Sequence, residues 1–281
     1  MILLAKKEFS IESQKKFSNF SGDYNPIHLC DKYSRKTIYG QILVHGMHAV
    51  LWALDSLTKK KKFFKNLDVR FLKPIFLNEV ISCYWDEQKD VINIKNSNTT
   101  LCKIFVTKVE KVVSLKSRVI SGKPRLKPAQ RKISEIEKLQ SKKKYILFKG
   151  NIDKFHKNFD NLKFVYGLSF VCEVCTLSYI VGMEVPGLNS LFISTKISLK
   201  SDKKRIFFRI NKVEQRLGMV SFEYSGNRIE CQIETIFRQK PVKSPTIQKL
   251  HRYVKGNEFN LMNALVIGGS RGIGEMVSKI I

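Results

Sequence analysis

Asp23 and His28 stand five positions apart in the run Ser21-Gly22-Asp23-Tyr24-Asn25-Pro26-Ile27-His28. Pro26 fixes its own backbone and restricts Asn25 before it, so the link between carboxylate and imidazole is stiff. A stiff link of that length can aim both groups at one water molecule. Imidazole titrates near neutrality, and a neighbouring carboxylate can hold its tautomer and tune its pKa. The chemistry such a pair suits is the addition of water to, or its removal from, the double bond of a 2-enoyl thioester. That reaction needs a base for the water, a proton for Cα and donors for the charge that grows on the thioester oxygen. A backbone N–H at the start of a helix meets the last need. Gly46 opens such a helix and has no side chain to keep an acyl group away. The competing reading is structural: Asp-x-Asn-Pro is a good capped turn anywhere.

Other candidates carry less. His45 either orients Asp23 or only packs beside it, and His48 on the helix reads as structural. His156 and His251 lie in basic, motif-free stretches and receive no role. Glu173 is the one charge in an apolar run; burial would raise its pKa and make it an acid or base, which motivates an acyl-thioester hydrolase as an alternative. Six cysteines show no zinc-site spacing, so Cys172 and Cys175 read as small buried side chains and no metal is expected.

The 281 residues are 43% hydrophobic and 27% charged, which suits a globular chain with a sizeable core. Apolar stretches are short, and Met1-Ile-Leu-Leu-Ala before Lys6-Lys7 is not built like a secretory signal, so the expected setting is cytoplasmic with no membrane span. The net charge of +27 concentrates in Lys59–Lys62 and in Lys111–Lys163, where 16 Lys/Arg face 4 Asp/Glu. Such charge fits attraction to coenzyme A or an acidic acyl carrier protein, or a solvated lysine-rich face. A non-catalytic acyl-carrier or nucleic-acid binding module is the non-enzymatic alternative, but the basic clusters lack interleaved aromatics or a recognition motif. Homodimerisation is left open.

The elements that must position the pair follow from periodicity. Phe9–Phe20 is a mixed segment and Asp31–Ser34 one helical turn. Met47, Val50, Leu51, Leu54 and Leu57 recur at helical spacing, after which Leu67–Leu72, Val80–Trp85, Val91–Ile94 and Leu101–Val109 read as strands. The order then repeats: a strand at Tyr145–Phe148, a helix over Leu162–Gly182, and strands at Leu191–Leu199, Arg205–Val213, Met219–Tyr224 and Arg228–Phe237. Two copies of a helix-then-antiparallel-sheet unit predict an α+β fold, with two sheets each wrapped around a long helix and paired side by side. The units are residues 1–110 and 145–240, joined by a basic crossover at 111–144 and followed by a linker at 241–262. Residues 263–281, with Gly268, Gly272 and Gly274, read as a strand, glycine turn and helix start. That is the opening of a dinucleotide-binding unit cut short, inactive by itself, so NAD(P) would be a cofactor only with the rest of a reductase.

Phe17 to His28, then Tyr33-Ser-Arg-Lys, Val44-His45-Gly46-Met47 and Val69-Arg-Phe-Leu-Lys-Pro74-Ile, resemble the MaoC-like (R)-specific enoyl-CoA hydratases and dehydratases over most of residues 9–110. The resemblance implies a hot-dog fold and syn hydration or dehydration of a (3R)-hydroxyacyl chain carried on CoA or acyl carrier protein, with no further cofactor. It implies Asp23 and His28 as the catalytic pair, the Gly46 amide facing the thioester carbonyl, and Asn25 supporting the turn. The second unit resembles a hot-dog through Tyr166-Gly167 and Gly182 to Ser190 but lacks Asp-x-Asn-Pro-x-His. The resemblance therefore makes it a non-catalytic half that completes a substrate tunnel. Ile267 to Gly274 is similar to the opening of short-chain dehydrogenases.

Overall fold

The computed structural model describes residues 1–281 apart from 98, 113–118, 154–157, 201–205, 239–243, 255, 257 and 261; His156 lies outside the described residues. The chain opens on a strand, β1 (Ile2–Glu8), that the sequence reading missed because its run of apolar residues is short and followed by lysines. Helix α1 (Ile11–Ser21) replaces the expected mixed segment. Ser10 caps it by accepting the Ser13 N–H, and Gly22 ends it in the left-handed region. A single 3₁₀ turn (Pro26–His28) and α2 (Asp31–Ser34) lead to α3 (Gly46–Lys59). The apolar spacing of α3 buries Met47, Val50, Leu51, Leu54 and Leu57 completely. Burial of each contributes roughly 1.5–3 kcal/mol.

Strands β2 (Phe63–Phe71), β3 (Val80–Asp86), β4 (Val91–Lys95) and β5 (Thr100–Val109) complete the first half. The crossover holds the short α4 (Ile133–Glu137). The second half comprises β6 (Lys143–Tyr145), α5 (Asp160–Tyr166), α6 (Leu168–Tyr179, continuing as a wider turn to Glu184), β7 (Ser190–Leu199), β8 (Phe207–Glu214), β9 (Met219–Ser225) and β10 (Ile229–Phe237). The expected single helix over Leu162–Gly182 is thus two, bent by 116°. Gly167 makes the break, with φ 82° and ψ 157°, a backbone that a side chain would resist.

The strands form one ten-stranded antiparallel sheet in the order β1-β3-β4-β5-β2-β7-β10-β9-β8-β6. The two sheets expected side by side are here joined into this single sheet. The two halves fuse edge to edge where β2 pairs β7, with Leu67 opposite Ile197 and Val69 opposite Thr195. Hydrogen-bonding the two inner edges removes strand edges that two separate sheets would leave open. Helices α3 and α6 pack against each other under the joined sheet, in one continuous apolar core. Helix α6 is buried on every side, which is why its apolar residues show no clear stripe.

At the C-terminus the expected strand is absent among the described residues. Residues 263–266 pair with no strand among the described residues, and Leu265 and Ile267 are exposed. After a short helix, α7 (Ile247–Leu250), only α8 (Gly272–Ile280) forms, and none of its residues is buried. Gly268, Gly272 and Gly274 therefore sit in a turn and helix start with no sheet behind them. No single helix among the described residues is long and apolar enough to cross a membrane.

Candidate active site

The stiff segment places its two ends as the spacing demanded. Asn25 caps the 3₁₀ turn by accepting the Ile27 N–H, and its own N–H donates to Asp23 Oδ1 at 3.1 Å. One ligand atom from each of Asp23, His28 and His45 lies within 4.8 Å of the others. That is the separation at which two groups can share one water, each at about 2.8 Å.

His28 Nδ1–H donates to the Leu43 carbonyl at 2.9 Å, which fixes the tautomer and leaves the Nε2 lone pair free. Burial, opposed by that hydrogen bond and reinforced by the positive charge of Arg238, pushes His28 down to about 4. The ring is therefore neutral at pH 7. Asp23 moves the other way. Burial pushes it up to about 7, against the pull of the Ser178 hydroxyl and the Asn25 N–H. Asp23 is thus the more basic of the pair.

His45 is neutral and packs against Asp23. Its Nδ1–H donates to Gln14 Oε1 at 2.8 Å, and its Nε2 lies 3.2 Å from the Asp23 carbonyl oxygen and 4.0 Å from Oδ2. Its ring stacks on His28 with centroids 3.9 Å apart. Burial, with His28 and His48 nearby, holds it well below the ordinary range. A neutral Nδ1–H tautomer satisfies the Gln14 bond and leaves Nε2 as an acceptor toward Ser18 Oγ at 3.4 Å. His48 accepts from Gln14 Nε2 at 3.3 Å and stacks on Phe17, so it belongs to the packing.

A cavity of about 190 Å³ opens on the pair. Gly46, the first residue of α3, lines the same cavity. Its N–H belongs to the first helical turn, whose donors have no partner inside the helix and carry the positive end of the dipole. A Cβ at Gly46 would lie 2.9 Å from the Phe71 ring, so only glycine fits there without moving that wall.

Sequence reasoning missed the contribution of the second half. Ser178 on α6 donates to Asp23 Oδ2 at 2.7 Å. A Cβ on Gly182 would fall 2.3 Å from Asp23 Oδ1, so the carboxyl rests directly on that backbone. The Asn25 amide donates to the carbonyls of Gly182 at 3.0 Å and Gly187 at 3.3 Å, binding the Asp23–His28 turn to the second half as well as bracing it. No local signal marks Ser178, because α6 also carries Ser169 and Thr176.

Glu173, by contrast, lies away from the pair. Its carboxylate accepts the backbone N–H groups of Asn227, Arg228 and Ile229 at 2.9–3.1 Å, closing the turn between β9 and β10. Burial raises it to about 7 against these bonds. It lines a second cavity that shares no wall with the first.

Residues 6–108 match the MaoC like domain family. Solved structures similar to the chain include a MaoC-like dehydratase, at 11% identity over 83% of this chain and 95% of that one with a TM-score of 0.46. An (R)-hydratase from A. caviae involved in PHA biosynthesis is 19% identical over 36% of this chain and 86% of that one, with a TM-score of 0.31. An oleoyl thioesterase (putative) from Lactobacillus plantarum is 8% identical over 85% and 96%, with a TM-score of 0.40. No curated protein sequence matches the chain. The match of residues 6–108 to the MaoC like domain family, together with the cluster of Asp23, His28 and His45, supports Asp/His-based hydration and dehydration, and the protein is an enzyme of that kind.

Proposed function

We propose that the cavity takes a 2-enoyl or (3R)-3-hydroxyacyl thioester, carried on CoA or an acyl carrier protein, and that Asp23 and His28 move the water. The observation that carries this is the convergence of a basic carboxylate, a neutral imidazole with a free Nε2 and a helix-start N–H on one small cavity. In hydration, Asp23 takes one proton from a water whose other hydrogen is held by His28 Nε2. The oxygen attacks Cβ, and the charge that moves to the thioester oxygen is met by the Gly46 N–H. Asp23 then returns its proton to Cα. Because one carboxyl serves both steps, OH and H arrive on the same face. Dehydration reverses the path, with Asp23 taking the Cα proton and delivering it to the departing hydroxyl.

His45 and Asn25 are positioning residues in this reading. The second half supplies walls and the Ser178 bond but no acid–base pair of its own. We accordingly divide the chain into a catalytic unit (1–110), a crossover (111–144), a supporting unit (145–240), a linker (241–262) and a tail (263–281). The basic surface suits the anionic carriers. Thioester chemistry and cysteines that form no disulfides fit a reducing cytoplasmic setting.

The test is loss of the conjugated thioester absorbance when the protein meets a 2-enoyl-CoA. Turnover should vanish in Asp23→Asn and His28→Ala while both variants stay folded. Full activity in both variants would overturn the assignment. A hydrolase using Glu173 would instead release free thiol from a saturated acyl thioester, but a carboxylate engaged by three backbone N–H groups favours a structural role.

A further inference from the structure

Arg238, just past the end of β10, is 7% exposed, yet among the described residues no carboxylate pairs with it. Its Nη2 donates to the Leu188 carbonyl at 3.2 Å, Tyr33 and Tyr39 supply its remaining polar surroundings, and its Nε has no partner. A buried guanidinium without an anion is costly and is rarely kept without a reason.

The surroundings say where an anion would come from. Arg238 lines a cavity of about 480 Å³ together with Arg216 and Gln215. Tyr39 and Ile236 line both this cavity and the reaction cavity, so the two adjoin. Arg238 is also near enough to His28 to act on it electrostatically. A molecule in the reaction cavity thus has a cationic annex within reach of one of its ends.

We propose that this annex is a specificity site, in which Arg238 and Arg216 bind an oxyanion carried by the substrate. The shared chemistry is a phosphate of the carrier arm or a carboxylate at the far end of the acyl chain. Guanidinium suits both, because its planar fork matches two oxygens of either group. The inference rests on the thioester reading above, and the test separates failure of one from failure of the other.

Three 2-enoyl thioesters distinguish the sources: a methyl-ended chain on pantetheine, which has no phosphate; the same chain on CoA; and a carboxyl-ended chain on pantetheine. Wild type should prefer one of the two anionic substrates to the neutral one through KM. Arg238→Gln should remove that preference, raising KM for the preferred anion by about tenfold or more and KM for the neutral substrate far less. Arg216→Gln, an exposed substitution with little structural risk, should remove part of it. Arg238→Lys should restore part. An equal loss on all three substrates, or an unchanged preference in both arginine variants, overturns the proposal. If wild type turns over none of them, the thioester reading fails. The annex is then judged by binding: inorganic diphosphate or glutarate should raise the melting temperature of wild type and not of Arg238→Gln, and equal or absent shifts in the two proteins overturn it.

Discussion

Ser178→Ala tests the coupling between the two halves, because it removes one hydrogen bond from the second half and nothing else from the site. The hydroxyl donates to Asp23 Oδ2 at 2.7 Å and favours the charged carboxylate, opposing the burial that holds Asp23 at about 7. A bond to an ionised group is stronger than one to its neutral form, and a difference of about 1.4 kcal/mol corresponds to one pKa unit. Loss of the hydroxyl should therefore raise Asp23 by about one unit. At pH 7 the ionised fraction then falls from about one half to about one tenth, so hydration slows about fivefold. The loss should recover by about pH 9, where both proteins are ionised. The assay is the pH profile of kcat/KM for a 2-enoyl thioester, whose rising limb reports the free enzyme's base. A limb that stays in place, or moves toward acid, would refute the claim that Ser178 tunes Asp23.

The remaining predictions concern neighbouring parts of the site. Asp23 is raised from 3.8 to about 7 in the folded chain, so it stabilises the fold only where the carboxyl is protonated, and that stability is lost as the pH rises through about 7. Asp23→Asn should consequently be inactive but more stable than wild type at pH 8, by at most about 4 kcal/mol, with the advantage fading toward pH 4 in urea melts. Gly182→Ala puts a Cβ 2.3 Å from Asp23 Oδ1 and should cut turnover at least tenfold with a lesser effect on melting temperature; unchanged kinetics would show that the second half does not seat the carboxyl. Glu173→Gln leaves an amide facing backbone N–H donors, and should cost about 1–3 kcal/mol of stability while hydration kinetics of the folded protein persist. Abolished turnover in a folded Glu173→Gln protein would reverse the assignment of this residue.

Much of this site was legible because its logic is local. The Pro26 restriction and the capping Asn25 set the Asp23–His28 spacing within six residues, and Gly46 follows from the start of an apolar helical period. Most strands were legible for the same reason, since alternation is written along each one, β1 excepted. What could not be read is non-local. Ser178 reaches Asp23 across 155 positions of sequence, and Gly182 matters only because that carboxyl happens to rest on it. The β2–β7 seam depends on which edges meet, which period-two patterning leaves undetermined. The break at Gly167 was hidden because α5 and α6 are both apolar, so composition alone runs through it. Conversely, the glycine-rich tail had the local pattern of a nucleotide site, but a strand needs a neighbour and, among the described residues, 263–266 have none. Glu173 was singled out for its isolation in an apolar run, and the donors that explain it lie in a distant turn.

The measurement closest to the core of the account is the geometry of addition in heavy water. One carboxyl that both activates the water and protonates Cα must deliver deuterium to C2 on the face where oxygen joins C3. Hydration of a 2-enoyl thioester in D2O should give this syn product alone, read by NMR coupling in the 3-hydroxyacyl chain. An anti product, or a mixture of the two, would contradict a single Asp23 working with His28 on one shared water.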